Sequence, residues 1–256
     1  MPENTPILDD AGGDTTDPLL ELRDVYSGYD GSEVLHGIDV AVRSGEVVAV
    51  VGPNGAGKST AFKTIFGLLT PTDGEIRLDG EVINGLSPPE LLRRGLCYVP
   101  QGRSTFPELT VEKNLQMSAY LKDDIGDDLE RVYGRFPVLR EKRADKAKTL
   151  SGGQQQMLEM AGGLMMEPEL LLLDEPSLGL APKITEGVFD RIQALNGEGM
   201  TFLIIEQNAR RALDAARRGY VIDQGEIALK GEGDALLADG EVQRLYLGGA
   251  PSTDGG

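Results

Sequence analysis

Residues 46–60 read EVVAVVGPNGAGKST, an apolar run that passes directly into a glycine-rich loop and then into a helix-forming segment. Glycines let the backbone curl so that successive N–H groups point inward, and the helix N-terminus adds partial positive charge. The G-x-x-x-x-G-K-S pattern in this strand–loop–helix context predicts a phosphate-binding loop, with Lys58 reaching the β- and γ-phosphates and Ser59 binding Mg²⁺. The loop residues are Gly52, Pro53, Asn54, Gly55, Ala56, Gly57, Lys58, Ser59 and Thr60.

A second apolar run, Leu170–Leu173, ends in two adjacent carboxylates, Asp174 and Glu175. Side chains alternate along a strand, so the two acids point in different directions and can do different jobs. Beside a phosphate loop, Asp174 is predicted to hold Mg²⁺, directly or through water. Glu175 is predicted to polarise the attacking water as general base.

A third motif, LSGGQQQ at residues 150–156, precedes a helix. Ser151 could simply cap that helix. Its hydroxyl and the glycine N–H groups also make a second anion-binding helix N-terminus. One chain with one phosphate loop does not need two such sites for one nucleotide. We therefore expect a head-to-tail dimer in which Ser151, Gly152, Gly153 and Gln154 cover ATP that is bound by the other subunit.

The rest of the chain alternates strands with helices, which predicts a mainly parallel, three-layer α/β core. Residues of about 87–150 are richer in charge and helical periodicity, and predict a helical insertion. Residues 1–18 have the composition of a disordered acidic tail, and residues 249–256 that of a flexible C-terminus. Strands are predicted at Leu20–Val25, Val34–Val42, Glu75–Leu78, Thr201–Ile205, Tyr220–Ile222 and Glu226–Leu229, and helices at Ser59–Leu69, Val111–Leu121, Asp128–Phe136, 152–166, 182–195 and Ala209–Arg217.

Composition excludes several classes of function. The chain has 42 acidic and 25 basic side chains and a net charge of −17, which repels nucleic acid and predicts no nucleic-acid partner. No apolar run approaches the roughly 18–20 residues that span a bilayer, and the acidic N-terminus lacks the apolar region of a signal peptide. The single cysteine, Cys97, suits a reducing cytoplasm. The acidic excess favours adaptation to high salt, with an ordinary acidic protein as the alternative.

Together, GPNGAGKST at 52–60, LSGGQ at 150–154 and LLLLDEP at 170–176 resemble the nucleotide-binding subunits of ATP-binding-cassette (ABC) transporters. The resemblance covers about residues 19–248. It implies one ATPase domain, a P-loop NTPase core with a small antiparallel β subdomain and a helical insertion that docks on a membrane subunit. The partners it implies are two transmembrane permeases, a second ABC ATPase or a second copy of this chain, and indirectly an external solute-binding protein.

The resemblance also assigns roles to further residues. It implies that Tyr29 stacks on adenine, that Gln101 senses Mg²⁺ and the γ-phosphate, and that residues 177–180 cross the dimer interface. Most members of the family place a histidine after the strand that follows the acidic pair. Here Gln207 occupies that place, and the only histidine is His36. Glutamine can donate an N–H to phosphate but cannot become cationic, so we predict hydrolysis that is slower or supported by a partner.

The sequence around Gln207 resembles one branch of the family. Glu-Gln-Asn-Ala at 206–209, PSLGLAP at 176–182, Gln-Gly-Arg at 101–103 and Leu-Tyr-Leu-Gly at 245–248 are similar to the second ATP-binding subunit of branched-chain amino-acid importers. Subunits for urea and short-amide uptake are an alternative, as are a non-transport ABC ATPase and a non-hydrolysing nucleotide sensor. The resemblance implies a cytoplasmic location, peripheral on the inner face of the cell membrane.

Overall fold

The structure, a computed structural model, describes residues 17–102, 104–240, 242 and 243. Most of the predicted acidic tail, Arg103, the Leu-Tyr-Leu-Gly segment and the predicted C-terminal tail lie outside the described residues. Within the described ranges, no helix is long and apolar enough to cross a membrane.

The strands and helices follow the predicted alternation. The strands are β1 (Leu20–Tyr29), β2 (Ser32–Val42), β3 (Val47–Val51), β4 (Asp73–Leu78), β5 (Glu81–Val82), β6 (Leu96–Val99), β7 (Leu170–Asp174), β8 (Thr201–Glu206), β9 (Arg218–Asp223) and β10 (Glu226–Glu232). The helices are α1 (Lys58–Ile65), α2 (Pro88–Arg93), α3 (Val111–Ser118), α4 (Gly126–Arg135), α5 (Pro137–Glu141), α6 (Gly152–Leu164), α7 (Pro182–Gly197), α8 (Ala209–Ala215) and α9 (Gly233–Ala238), with a short 3₁₀ helix at Ala147–Thr149.

The strands form two sheets. The larger sheet has the order β10-β9-β3-β8-β7-β6, and only the β9–β10 pair in it is antiparallel. The smaller sheet, β2-β1-β4-β5, is entirely antiparallel. Its β4–β5 turn is formed by Asp79 and Gly80 at φ of 49° and 74°. Positive φ at both central residues is the geometry of the hairpin turn that an Asp-Gly pair predicts.

The core lies on both faces of the larger sheet. Strand β7 is buried along its whole length, and its side chains alternate between two apolar clusters. Leu170 and Leu172 pack toward α1 and the small sheet, whereas Leu171 and Leu173 pack toward the helices between α3 and α7. A strand covered on both faces by other elements reads as a continuous apolar run, as this one does. The result is the predicted three-layer arrangement.

The predicted helical insertion of 87–150 differs from the structure at its start. This range includes β6, which pairs in parallel with β7 and belongs to the larger sheet, and α2, which packs against β6. The helices of the insertion therefore begin with α3 at Val111. An apolar run as short as β6 has no periodicity that separates a strand from a helix. The first core helix, α1, is also shorter than predicted and ends at Ile65.

Candidate nucleotide-binding and catalytic site

The phosphate loop joins β3 to α1. Gly57 is the N-cap of α1 and lies at φ 105°, in the region that favours glycine. A Cβ on Gly52 would lie 2.1 Å from the Ile222 carbonyl oxygen, so no side chain fits there. The N–H groups in the first turn of a helix have no acceptor within the helix. The N-terminus of α1 is therefore able to bind an anion.

Lys58 is the first residue of α1 and is buried. Its Nζ donates hydrogen bonds to the carbonyl oxygens of Gly52 at 2.8 Å and Pro53 at 2.9 Å. Burial lowers the pKa of Lys58, and the nearby carboxylates Glu175 and Asp174 oppose that shift. The ammonium group therefore lies against the backbone of the loop, where it can form a charge-assisted hydrogen bond to a phosphate.

Asp174 ends β7 beside the first turn of α1. Ser59 Oγ donates to Asp174 Oδ1 at 3.4 Å, and the Tyr98 hydroxyl donates to Asp174 Oδ2 at 3.0 Å. Burial raises the pKa of Asp174, while these two hydrogen bonds and Lys58 act in the opposite direction. Hydroxyl and carboxylate oxygens are ligands that Mg²⁺ prefers, and a cation would offset the cost of burying the carboxylate. The residues therefore fit a magnesium ion.

Glu175 follows directly and turns away from the strand. It lies at φ 49°, in the left-handed region, and its N–H donates to the Ile205 carbonyl at 2.8 Å. Gln101 Nε2 donates to Glu175 Oε2 at 2.9 Å. Burial and the neighbouring Asp174 raise the pKa of Glu175, and Lys58 opposes them. A carboxylate with a raised pKa is better suited to accept a proton from water.

A cleft of about 470 Å³ brings most of the predicted residues together. Tyr29 lies at its mouth with 41% of its surface exposed, and Lys63 Nζ lies 5.6 Å from the centre of its ring. Gln207 lines the same cleft. The lining consists of Tyr29, Val34, Asn54, Gly55, Gly57, Lys58, Ser59, Thr60, Gln101, Glu175, Leu178 and Gln207. Gly52, Pro53 and Ala56 complete the loop outside this lining, and Asp174 joins the site through Ser59.

The structure does not bring the Ser-Gly-Gly-Gln motif to this cleft. Ser151 caps α6: its Oγ accepts from Gln154 N at 3.4 Å, and Gln154 Oε1 accepts from Ser151 N at 3.0 Å. This is a capping box. A Cβ on Gly153 would lie 2.5 Å from Ile184 Cγ2 on α7. Both residues thus have local roles, and the contact of this motif with ATP on another subunit stays a prediction.

Two polar residues of the site were not predicted from the sequence. One is Tyr98, which bonds Asp174. The other is Glu206, the last residue of β8, which is 2% exposed. Glu206 Oε1 accepts from Ser177 N at 2.9 Å, and its Oε2 accepts from Asn208 N at 3.4 Å. Tyr98 and Glu206 both lie at or near the carboxyl ends of parallel strands. This is the edge of the sheet at which open α/β folds form their binding sites.

The phosphate loop, the acidic pair and the glutamine of the β6 loop at one sheet edge define a P-loop ATPase cassette. The family model described as "ABC transporter" matches residues 35–178. The chain belongs to the ABC transporter family, and the predicted ATPase class and fold are confirmed.

Relatives match the chain over nearly its whole length. The high-affinity branched-chain amino acid transport ATP-binding protein BraG of Pseudomonas aeruginosa is 43% identical, over 90% of this chain and 100% of that protein. The probable branched-chain amino acid transport ATP-binding protein LivF of Archaeoglobus fulgidus is 40% identical, over 90% and 99%. The lipopolysaccharide export system ATP-binding protein LptB of Escherichia coli is 32% identical, over 90% and 97%.

Solved structures agree with the fold. An ATP-binding cassette of an ABC transporter in its ADP conformation superposes with a TM-score of 0.80 and is 29% identical, over 91% of this chain and 100% of that one. A cassette solved as a dimer gives a TM-score of 0.72 at 26% identity, over 83% and 98%.

Proposed function

We propose that this chain is the ATP-hydrolysing subunit of an importer for branched-chain amino acids. The observation that carries this proposal is the identity of 43% and 40% to two branched-chain amino acid transport proteins, over 100% and 99% of their lengths. The identity to a lipopolysaccharide export protein is lower, at 32%. A subunit for urea or short-amide uptake is the alternative importer. A non-transport ABC ATPase and a nucleotide sensor are the alternatives outside import.

The geometry supports a defined role for each group in hydrolysis. Lys58 and the N–H groups of the loop would bind the β- and γ-phosphates, and Tyr29 would stack on the adenine. Ser59, Asp174 and the amide oxygen of Gln101 would hold Mg²⁺, which when bound neutralises charge on the phosphates. Glu175 would orient the attacking water and accept its proton. Gln207 would donate an N–H to the γ-phosphate without adding positive charge.

The role of Glu175 is tested by Glu175→Gln. The amide keeps the size of the side chain but cannot act as a base, so we expect hydrolysis to fall by a factor of about 10² to 10⁴. Binding of a fluorescent ATP analogue should be retained, and an ATP-bound dimer should accumulate in size-exclusion chromatography. Glu198→Gln, on the surface beside Arg135, is the matched control. Rapid turnover by Glu175→Gln would remove Glu175 from the base role.

A dimer would complete the site. We propose that Ser151, Gly153 and the rest of that motif cover ATP on an opposing subunit, either a second copy or a related ATPase. Two large apolar side chains near the motif and the cleft support a protein interface there: Leu178 is 52% exposed and Ile184 is 39% exposed. The related cassette that was solved as a dimer is consistent with this arrangement.

The surface that we propose for the permeases is a groove of about 300 Å³ between β6 and helices α3 and α6. Phe106, Met117 and Tyr120 line it and are half-exposed or more. An exposed apolar rim around a groove is typical of a protein interaction site. Bound to such permeases, the subunit would lie in the cytoplasm, peripheral on the inner face of the cell membrane.

The transport assignment is tested by affinity purification of the tagged protein from detergent-solubilised membranes of its own host. The buffer should contain salt at the concentration found in the host, because the acidic composition is the basis for the proposed adaptation to high salt. We expect two multi-span permeases and a second cassette ATPase, with a solute-binding protein that identifies the substrate. A binding protein for urea or amides would favour the alternative importer. Ribosomes, or soluble partners alone, would overturn the transport assignment and leave the ATPase chemistry standing.

A further inference from the structure

Tyr98 connects the acidic end of β7 to the helix that begins at the phosphate loop. It lies in β6, and its hydroxyl donates to Asp174 Oδ2 at 3.0 Å. Its ring packs against Phe62 of α1 and against Phe66, the residue that caps the C-terminus of α1, with centroid distances of 5.9 Å and 5.5 Å. The ring is therefore held in place by α1, and the hydroxyl is held at a fixed position against the carboxylate.

The two oxygens of Asp174 are divided between two partners. Oδ2 accepts from Tyr98, and Oδ1 accepts from Ser59 Oγ at 3.4 Å. The last torsion of an aspartate side chain is soft, so a carboxylate with one partner can rotate. Donors on opposite oxygens define the plane of the group. Because Tyr98 takes Oδ2, the Oδ1 edge is turned toward Ser59 and the phosphate loop.

The tyrosine hydroxyl is suited to this role as a permanent donor. A tyrosine hydroxyl keeps its proton at neutral pH, so it can donate to Asp174 Oδ2 across the working range of the protein. The same strand leads to Gln101, whose Nε2 donates to Glu175 Oε2 at 2.9 Å. One short segment thus gives one hydrogen bond to each member of the acidic pair.

We propose that Tyr98 is a positioning residue that orients the Asp174 carboxylate for Mg²⁺. This inference rests on the proposed function, in which Ser59 and Asp174 hold the ion. Residues that orient a metal ligand change metal affinity by about 10- to 100-fold when they are removed. Without the hydroxyl, Asp174 is free to rotate, and the ion meets a ligand that is no longer fixed.

The test is Tyr98→Phe, which keeps the ring against Phe62 and Phe66 and removes only the hydroxyl. Binding of a fluorescent, non-hydrolysable ATP analogue is titrated with Mg²⁺ and measured separately in EDTA. We expect the Mg²⁺ midpoint to rise by about tenfold, with the affinity in EDTA unchanged. Mn²⁺ in place of Mg²⁺, followed by electron paramagnetic resonance, reports ion binding directly and should show the same shift.

The matched control is Tyr220→Phe. Its hydroxyl accepts from Ala41 N at 3.0 Å and donates to Ala41 O at 3.2 Å, away from the cleft. This variant loses a hydrogen-bonded hydroxyl from a buried tyrosine, so it reproduces the structural cost without touching Asp174. We expect its Mg²⁺ midpoint to equal that of the wild type.

Each outcome decides a different question. A Mg²⁺ midpoint for Tyr98→Phe equal to that of the wild type would overturn the positioning role. So would a loss of affinity in EDTA as large as the loss in Mg²⁺, because it would show a general distortion of the site. Wild-type nucleotide binding that does not respond to Mg²⁺ would instead overturn the proposed metal site itself, and the inference with it.

Discussion

At the scale of single residues, the site concentrates negative charge. Asp174 ends β7, Glu175 follows it directly, and Glu206 ends the neighbouring β8. Burial raises the pKa of each of the three carboxylates. Lys58 opposes this effect at Asp174 and Glu175, and Lys63 also opposes it at Asp174. Side chains that bind cations or transfer protons are often placed where burial and nearby charges shift their pKa values. Shifted pKa values therefore cluster at functional sites.

Because the pKa of Glu206 is raised, we predict that this residue makes a pH-dependent contribution to the free energy of unfolding. Burial, with a smaller contribution from Glu175, raises its folded pKa above the ordinary 4.5, although Ser177 and Asn208 donate to it. A carboxyl group whose pKa is raised by folding contributes most below its unfolded pKa and loses that contribution as the pH rises through its folded pKa. The wild type should therefore gain stability relative to Glu206→Gln, which cannot titrate at this position, as the pH falls from 7 toward 5.

Urea unfolding of both proteins at pH 5, 6 and 7 measures this difference in the free energy of unfolding. We expect the value for the wild type minus that for Glu206→Gln to be larger at pH 5 than at pH 7. A difference that shrinks as the pH falls would show that the pKa of Glu206 is not raised in the folded protein.

Sequence patterns found the residues whose partners are close along the chain. The phosphate loop is a single short motif, and the acidic pair directly follows its own strand. Tyr98 and Glu206 bond residues that are 76 and 29 positions away. Their roles depend on which strands are neighbours in the sheet, and alternation of strands and helices does not give that order.

At the scale of elements, the packing of α6 against α7 explains one glycine of the Ser-Gly-Gly-Gln motif. A Cβ on Gly153 would come within 2.5 Å of Ile184 Cγ2. This atom branches from Cβ, and a β-branched side chain in a helix has little freedom to move aside. The neighbouring Gly152 is different, because a Cβ there would lie 3.2 Å from the flexible end of Leu180.

We therefore expect Gly153→Ala to be less stable than Gly152→Ala, even without nucleotide. Overpacking of this kind costs about 1–3 kcal/mol, and the comparison cancels most of the gain in helix propensity, since both changes replace glycine by alanine. Thermal unfolding of the two variants measures the difference. Ile184→Ala added to Gly153→Ala should restore stability. Equal stability of the two alanine variants would show that packing against Ile184 does not require a glycine at position 153. The predicted contact with phosphate would then be the remaining explanation for Gly153.

Strand β6 shows where element prediction fails. The charge and helical periodicity of residues 87–150 predict a helical insertion that takes in this very short apolar run. In the structure it carries Tyr98 into the site and supports the Gln101 loop. A single strand of this length is specified by pairing with β7, which is distant in sequence, and so its own residues do not identify it.

At the scale of the whole molecule, the fold class follows from the alternation of strands and helices, whereas the sheet order does not. The order β10-β9-β3-β8-β7-β6 places strands together that are far apart along the chain. It sets the end of β3, which leads into the phosphate loop, near the end of β7, with β8 between them. Crossover connections of this kind are fixed by the packing of helices on both faces, which no local pattern describes.

The net charge of −17 is a property of the whole molecule, and it predicts how stability depends on salt. Compact folding brings like charges together, and this repulsion is screened as the Debye length falls from about 10 Å at 0.1 M to about 3 Å at 1 M salt. Salt also weakens surface ion pairs such as Arg140–Glu130. Such exposed pairs contribute only about 0–1 kcal/mol each, so screening of the net repulsion should dominate.

We expect the thermal midpoint to rise between 0.1 and 1 M KCl by at least about 2–4 °C, which corresponds to about 1 kcal/mol for a domain of this size. Differential scanning calorimetry over a series of KCl concentrations measures the shift, and most of it should occur where the Debye length changes fastest, at the low-salt end. An equal rise in sucrose would assign the effect to solute exclusion instead of charge. A midpoint that is constant or falls with KCl would contradict adaptation to high salt. It would show that repulsion among the acidic side chains does not measurably destabilise the folded state at low salt.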